Sequence, residues 1–405
     1  MRFTLFSAPS AHDSDSASGA TSRSRVLWFS CVAHALHDGY TDMIYVLLPV
    51  WQADFGLSYG ALAMLRGVYA GTMASLQIPA GRLAHWLGSR ATLALGTLLA
   101  AIGYAAAGMS GSLLGLCVAL ALSGAGSSTQ HPIASGAVSR VYGRNARGPL
   151  SIYNFSGDLG KAALPAAMSL LLSQMPWRHA LWMVAALGCA VAATIALFLP
   201  SIPRNGTLAE EPPGPGPGSS TAGTGFSLLF MIGVLDTGVR MGLLTFLPFL
   251  LKAKGVSPPM LGTALALVFI GGAAGKFACG WLGARIGVIG TVLATEGATA
   301  ACIIAVMFSP LALTMLLLPL LGMMLNGTSS VLYGTVPELA PREGTERAFA
   351  LFYTGTIGSG AIAPVIYGFL GDRIGIPGAT FATALTALAI FPLAIALRPH
   401  LVPEV

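Results

Sequence analysis

Apolar runs of about twenty residues, each closed by a cluster of Gly, Pro, Ser or Arg, recur along the whole chain. Read as helices, they fall at 26–51, 59–81, 91–109, 112–138, 148–173 and 178–200. A second set follows at 226–251, 259–281, 288–308, 310–337, 346–370 and 377–397. A bilayer core about 30 Å thick is crossed by roughly 20 apolar residues in a helix. The pattern therefore predicts an all-α membrane protein with twelve transmembrane helices. Between the two sets lies 201–225, containing EEPPGPGPGSSTAGTG, too rich in Pro, Gly and Ser for a helix. The expected organisation is a disordered cytoplasmic tail (1–25), an N-terminal six-helix bundle (26–200), a flexible cytoplasmic linker (201–225), a C-terminal six-helix bundle (226–398) and a short cytoplasmic tail (399–405).

The two bundles match one another at a shift of about 200 residues, on residue types that apolar helices do not match by chance. Asp38, Pro49, Gly56 and Ser58 align with Asp236, Pro248, Gly255 and Ser257. Gly88, Gly126, Tyr153, Gly160 and Pro165 align with Gly287, Gly327, Tyr353, Gly360 and Pro364. Six helices separate the copies, so both enter the membrane in the same direction. Two parallel repeats then surround a central binding region.

Charge sets the orientation. Of the 21 Lys and Arg, Arg66, Lys161, Arg240 and Lys276 fall inside predicted helices, and Arg178, Lys252, Lys254 and Arg373 on the face away from the termini. The other thirteen lie on the same face as the termini, which the positive-inside rule makes cytoplasmic. With 55% hydrophobic and 9% charged residues the chain cannot cover a soluble globule, and its net charge of +6 needs no nucleic acid to explain it. All five cysteines lie in apolar runs without metal-ligand spacing, so no metal is expected. Residues 1–24 lack the apolar stretch of a cleavable signal, and the first helix is expected to direct its own insertion. There is no phosphate-cradling glycine loop, metalloprotease histidine pair or nucleophile elbow, so neither an enzyme nor an ATP-driven pump is expected, and no cofactor.

Three segments carry a family likeness: HALHDGYTDMIYVLLPVWQADFGLS in the first helix, GAGSSTQHPIAS in the fourth and SIYNFSGDLGKAALPAA in the fifth. They resemble the major facilitator superfamily, and within it the fosmidomycin resistance protein family of bacterial efflux proteins. The superfamily's loop signature after helix 2, G-x-L-x-D-x-x-G-x-R, is present as Gly81, Leu83, His85, Gly88 and Arg90, with His85 in place of the acid. The resemblance implies a multi-pass, monomeric carrier of the bacterial inner membrane with both termini cytoplasmic. His85 and Arg90 are then candidates for the cytoplasmic gate.

Ionisable groups inside a membrane cost roughly 2.5–3.5 kcal/mol each, so they face a bundle interior or a water-filled cavity. His34, Asp38 and Asp42 are spaced four apart and share a helix face. A histidine beside a carboxylate exchanges protons near neutral pH. With the resemblance and the duplicated Asp236, this makes Asp38, His34, Asp42 and Asp236 candidates for proton coupling, although a helix cap or polar packing cluster would use the same residues. Arg66 can bind an anion, snorkel to the surface or pair with Asp38 or Asp42. Asp158 with Lys161, and Asp236 with Arg240, can pair within their own helices. Lys276 and Glu296 can pair with each other, or Glu296 can belong to a gate. Pro132 frees a backbone carbonyl and bends its helix, which brings Gln130 and His131 to a cavity. Tyr153 and Tyr353 occupy matched places. Arg66, Gln130, His131, Asp158, Lys161, Arg240, Tyr153 and Tyr353 are therefore the candidate substrate contacts, and His85, Arg90, Lys276 and Glu296 the candidate gate.

Four intramembrane cations favour an anionic or zwitterionic substrate. The expectation is a secondary transporter that exports a small molecule or drug against incoming protons by alternating access. A proton-coupled uptake symporter for an organic anion uses the same charges in the opposite sense. A non-transporting receptor would leave every deep charge self-paired and no chamber between the bundles.

Overall fold

The computed structural model describes residues 11–201, 223–340 and 345–401. Most of the expected linker, residues 1–10 and 402–405, and the loop arginine Arg342 lie outside them. The described residues are helical throughout: α1 (Ala11–Phe55), α2 (Tyr59–Ser75), α3 (Gln77–Leu87), α4 (Ser89–Met109), α5 (Leu113–Ser127), α6 (Gly136–Tyr142), α7 (Arg147–Gln174), α8 (Trp177–Phe198), α9 (Thr224–Ala253), α10 (Pro258–Phe308), α11 (Leu311–Leu339) and α12 (Thr345–Leu397). A π-turn, His131–Ser135, joins α5 to α6.

These helices divide the chain differently from the apolar runs. The second predicted helix ends as α2 at Ser75 and resumes as α3, because Pro79 can neither donate to the Ser75 carbonyl nor avoid it. The fourth is split by the π-turn. The eighth and ninth share α10, and the eleventh and twelfth share α12, and each pair is divided by one glycine of non-helical conformation, Gly287 (φ 71°) or Gly375 (φ 75°). Only glycine takes that conformation without strain. α1 begins at Ala11, within the stretch expected as a tail, although Ser, Asp and Gly there are weak helix formers and nothing apolar demands a helix.

Both long elements fold back on themselves. In α10, Gly271 and Gly275 of the first stretch abut Pro319 and Met323 of α11, whereas Thr328 of α11 donates to Thr295 of the second stretch. Lys254, just before the start of α10, donates to the carbonyls of Met307 and Ser309 at its far end. In α12 the Tyr367 hydroxyl reaches Thr386 Oγ1 across the Gly375 turn at 2.8 Å.

Seven helical stretches among the described residues are long and apolar enough to cross a membrane: Ser89–Met109, Leu113–Asn145, Trp177–Phe198, Thr224–Ala253, Pro258–Phe308, Leu311–Leu339 and Leu351–His400. α1 and α7 do not qualify because they carry the polar residues of the interior, and α2 because Pro79 cuts it short. The polarity is inverted relative to a soluble protein. Trp86, Phe277 and Phe308 are 80%, 77% and 78% exposed, whereas His34, Asp38, Asp42, Arg66, Asp236 and Glu296 are buried.

Contacts between the N-terminal helices (α1–α8) and the C-terminal ones (α9–α12) concentrate toward the face that carries the turns at 56–58 and 254–257. There the Asp372 carboxylate accepts the backbone N–H groups of Tyr59 and Gly60 at 2.7 and 3.0 Å, capping α2 from the other half. Gly262 N–H donates to Ser169 Oγ at 3.0 Å, and Tyr45 OH lies 3.5 Å from Met241 Sδ. Toward the opposite face, where the arginine-rich loops lie, Tyr353 meets Gln77 across the halves.

Candidate functional site

Four elements bring the deep charges together. On α1, His34 and Asp38 lie one turn apart with Nε2 and Oδ2 separated by 3.4 Å, as their spacing requires. α7 passes close enough to meet them because a side chain at Gly160 would strike the Ala35 backbone, and one at Gly157 would strike His34 and Asp38. That approach places Lys161 Nζ 3.2 Å from Asp38 Oδ2. The π-turn swings His131 inward until its Nε2 lies 3.8 Å from Asp38 Oδ1. Asp158, next on α7, is 3.8 Å from Lys161 and binds Lys276 of α10 at 2.6 and 2.8 Å. A single chain of alternating charge thus runs from His34 to Lys276 and crosses between the halves. Lys161, His131 and Lys276 keep 32%, 37% and 43% of their side chains exposed, so the chain borders open space.

The two histidines of α1 have different roles. His37 Nε2 donates to Thr97 Oγ1 at 3.1 Å, since that hydroxyl already donates to the Leu93 carbonyl; Nδ1 lies 3.2 Å from Ser127 Oγ, which also meets the Tyr69 hydroxyl. All its valences are filled by neutral partners. His34 Nδ1 lies 2.7 Å from the Tyr153 carbonyl, which only accepts, so this nitrogen carries a hydrogen. Its Nε2 faces a carboxylate. A proton can enter or leave between Nε2 and Asp38 without disturbing the bond that orients the ring. Tyr153 supports it, stacked on His34 at a ring separation of 4.0 Å.

The ligating atoms of His34, Asp38 and His131 all lie within 4.8 Å of one another, a spacing open to a metal ion. Lys161 competes with that use: its ammonium already lies 3.2 Å from Asp38 Oδ2 and would repel a cation there. The same geometry suits a proton shared among nitrogen and oxygen bases beside a fixed cation.

A second group lies around Asp42. Arg66 neither snorkels nor forms an ion pair within 4.0 Å among the described residues; its guanidinium lies 5.4 Å from the Tyr45 ring and 5.9 Å from that of Tyr69, with Nε and Nη1 unpartnered. Arg240 likewise leaves Nε unpartnered; it stays within electrostatic reach of Asp236, but the pairing that the sequence allowed does not close to within 4.0 Å among the described residues. Asp236 instead faces Glu296, whose carboxyl lies beside Thr328. The expected Lys276–Glu296 pair is therefore corrected on both sides. Lys276 lies in the first stretch of α10 and faces α7, whereas Glu296 lies past the Gly287 turn and faces α9.

Gln130 is fully buried beside Tyr153 and closes no hydrogen bond of good geometry, which removes it from direct contact with the open space. Tyr153 is buried as well, whereas Tyr353, its match in the sequence, is 43% exposed. His85 and Arg90 are exposed around the Gly88 turn, and neither has an ion pair among the described residues. The sequence reading passed over Asp372; its signal was an acid beside a glycine turn, but the capped helix belongs to the other half. A cavity of about 490 Å³, lined by Val50, Asp54, Ser169, Trp177, Lys252 and Leu261, lies on the turn-bearing face, away from the charge chain.

A family model described as Major Facilitator Superfamily matches residues 30–228 and 229–405. Among curated proteins, the chain is 26% identical over 315 residues to Monocarboxylate transporter 11 of Homo sapiens, covering 74% of this chain and 59% of that protein. It is 26% identical over 409 residues to the Probable sulfoacetate transporter SauU of Cupriavidus necator, covering 92% and 94%. Among solved structures, a bacterial homolog of the human lysosomal transporter Spinster, inward-facing and occupied, superposes with a TM-score of 0.78 at 15% identity over 95% of this chain and 99% of that one. The family match spans nearly the whole chain: it belongs to the major facilitator superfamily, a family of transporters and not of enzymes.

Proposed function

We propose that this major facilitator protein carries a small organic anion across the membrane together with protons, by alternating access of two parallel six-helix repeats. Twelve crossings follow if α10 and α12 each span twice. Two features support the repeat: the family model matches in two nearly equal parts, and Gly56 and Gly88 adopt positive φ together with their sequence matches Gly255 and Gly287. The termini are read as cytoplasmic and the membrane as the bacterial inner membrane, with the protein working as a monomer. On that reading the halves are closed outside and open inside, since their contacts gather on the arginine-poor face.

One observation carries the functional reading: the charge chain His34–Asp38–Lys161–Asp158–Lys276, in which each lysine is held by a carboxylate beside open space. An anion can take a lysine only if its carboxylate lets go, and a proton on Asp38 or Asp158 does this. Proton and anion then promote each other's binding, which is the thermodynamic condition for moving together. Two relatives named for monocarboxylate and sulfoacetate transport agree with an anionic cargo.

Efflux by exchange, the mode implied by the likeness to the fosmidomycin resistance family, requires proton and substrate to exclude one another. It suits a cationic cargo at Asp38 better than an anionic one. The test is uptake into proteoliposomes under an imposed pH gradient. Short organic acids should accumulate in the compartment toward which protons flow, and Asp38→Asn should retain downhill movement while losing accumulation. Accumulation against the proton flow would establish exchange, and no movement of any organic acid would overturn the proposal.

A further inference from the structure

Four cations lie in the membrane interior, and the charge chain occupies two of them. The other two, Arg66 on α2 and Arg240 on α9, belong to opposite halves. Arg66 is buried against the Tyr45 hydroxyl with Nε and Nη1 unpartnered, and Arg240 leaves Nε unpartnered. Buried guanidinium donors are rarely left idle, because each idle N–H forgoes a hydrogen bond it would have made in water. Both groups act on the same place: Asp42 and Tyr45, one turn apart on α1, each lie within electrostatic reach of Arg66 and of Arg240. At this level Tyr45 also touches Met241, the neighbour of Arg240 in sequence, so the two halves meet here.

We infer that Arg66 and Arg240 form a two-point clamp for a short organic acid with two anionic groups, such as a dicarboxylate or a sulfonated carboxylate, one group at each guanidinium. The inference rests on the organic-anion reading above and adds to it a second station for the same cargo, apart from the lysines of the charge chain. A one-headed acid satisfies one guanidinium and leaves the other's donors idle; a two-headed acid satisfies both and ties the halves together.

The test is calorimetric titration of the purified full chain with acetate, propionate and butyrate against malonate, succinate, glutarate and sulfoacetate. The best two-headed acid should bind at least about tenfold more tightly than the best one-headed acid, the effect of one added charge-assisted contact. Arg66→Lys and Arg240→Lys keep the charge but lose the planar donor set, and each should reduce that preference to within about threefold. The wild-type ligand series decides the matter even if a variant fails to fold. One-headed acids binding as tightly as the best two-headed acid, or folded lysine variants that keep the full preference, would overturn the clamp alone. Failure of every acid to bind would instead overturn the organic-anion reading beneath it.

Discussion

His34 and His37 differ less in sequence than in what surrounds them. The neutral hydroxyls of Thr97 and Ser127 enclose His37, so His37→Ala should cost about 1–3 kcal/mol through stranded donors and acceptors. It should leave pH-driven uptake per folded molecule intact. His34→Gln keeps much of the packing but removes the ring nitrogen that faces Asp38, and on the proton-coupled proposal it should do the reverse; thermal unfolding and vesicle uptake measured side by side separate the two. Lys276 is a third case. Its bond to Asp158 is partly exposed and should contribute less than about 1 kcal/mol to stability. As the anion contact proposed above it would matter more, and Lys276→Met should weaken apparent anion affinity about tenfold, in line with the ~1.5–3 kcal/mol of a hydrogen bond to a charged group.

At the scale of elements, the site depends on two local departures from regular helix packing. The first is close approach: α7 lies against α1 so tightly that Gly160 faces the Ala35 carbonyl directly. Gly160→Leu should therefore overpack the crossing, with a cost of roughly 1–3 kcal/mol or more visible as a lowered melting temperature, and should displace Lys161 from Asp38. The second is the π-turn around Pro132, which carries His131 toward Asp38. Both were legible in part. The Pro132 bend and the small-residue face of α7 could be read from the chain, because proline removes a donor wherever it stands and glycine lacks a side chain wherever it stands. Their consequence, which residues they deliver to Asp38, could not.

At the scale of the whole molecule, the halves are held together on one face by a carboxylate capping a helix that belongs to the other half. Asp372 accepts two N–H groups at the start of α2, where a helix presents unsatisfied donors and partial positive charge. Opening that face must break this cap. Asp372→Ala should shift the protein toward the alternative state by about 0.5–2 kcal/mol, the usual worth of a cap. A single cysteine at Ala361, which packs over Gly67 across the same seam, should then react faster with a membrane-impermeant maleimide added from that side. An unchanged labelling rate would mean that the cap does not hold the face closed.

Taken alone, the chain determined whatever depends on neighbours in sequence or on partition into lipid. The apolar runs made it a helical membrane protein, the i,i+4 spacing set His34 against Asp38, and buried cations pointed to an anionic cargo. Tertiary structure alone decided how the charges are shared. Asp158 and Lys276 are 118 residues apart, and nothing local distinguishes that pair from Lys161 with Asp158 or Lys276 with Glu296. Within a helix the backbone fixes the separation of two side chains. Between helices it depends on the rotation and depth of each one, which are set by packing along its whole length.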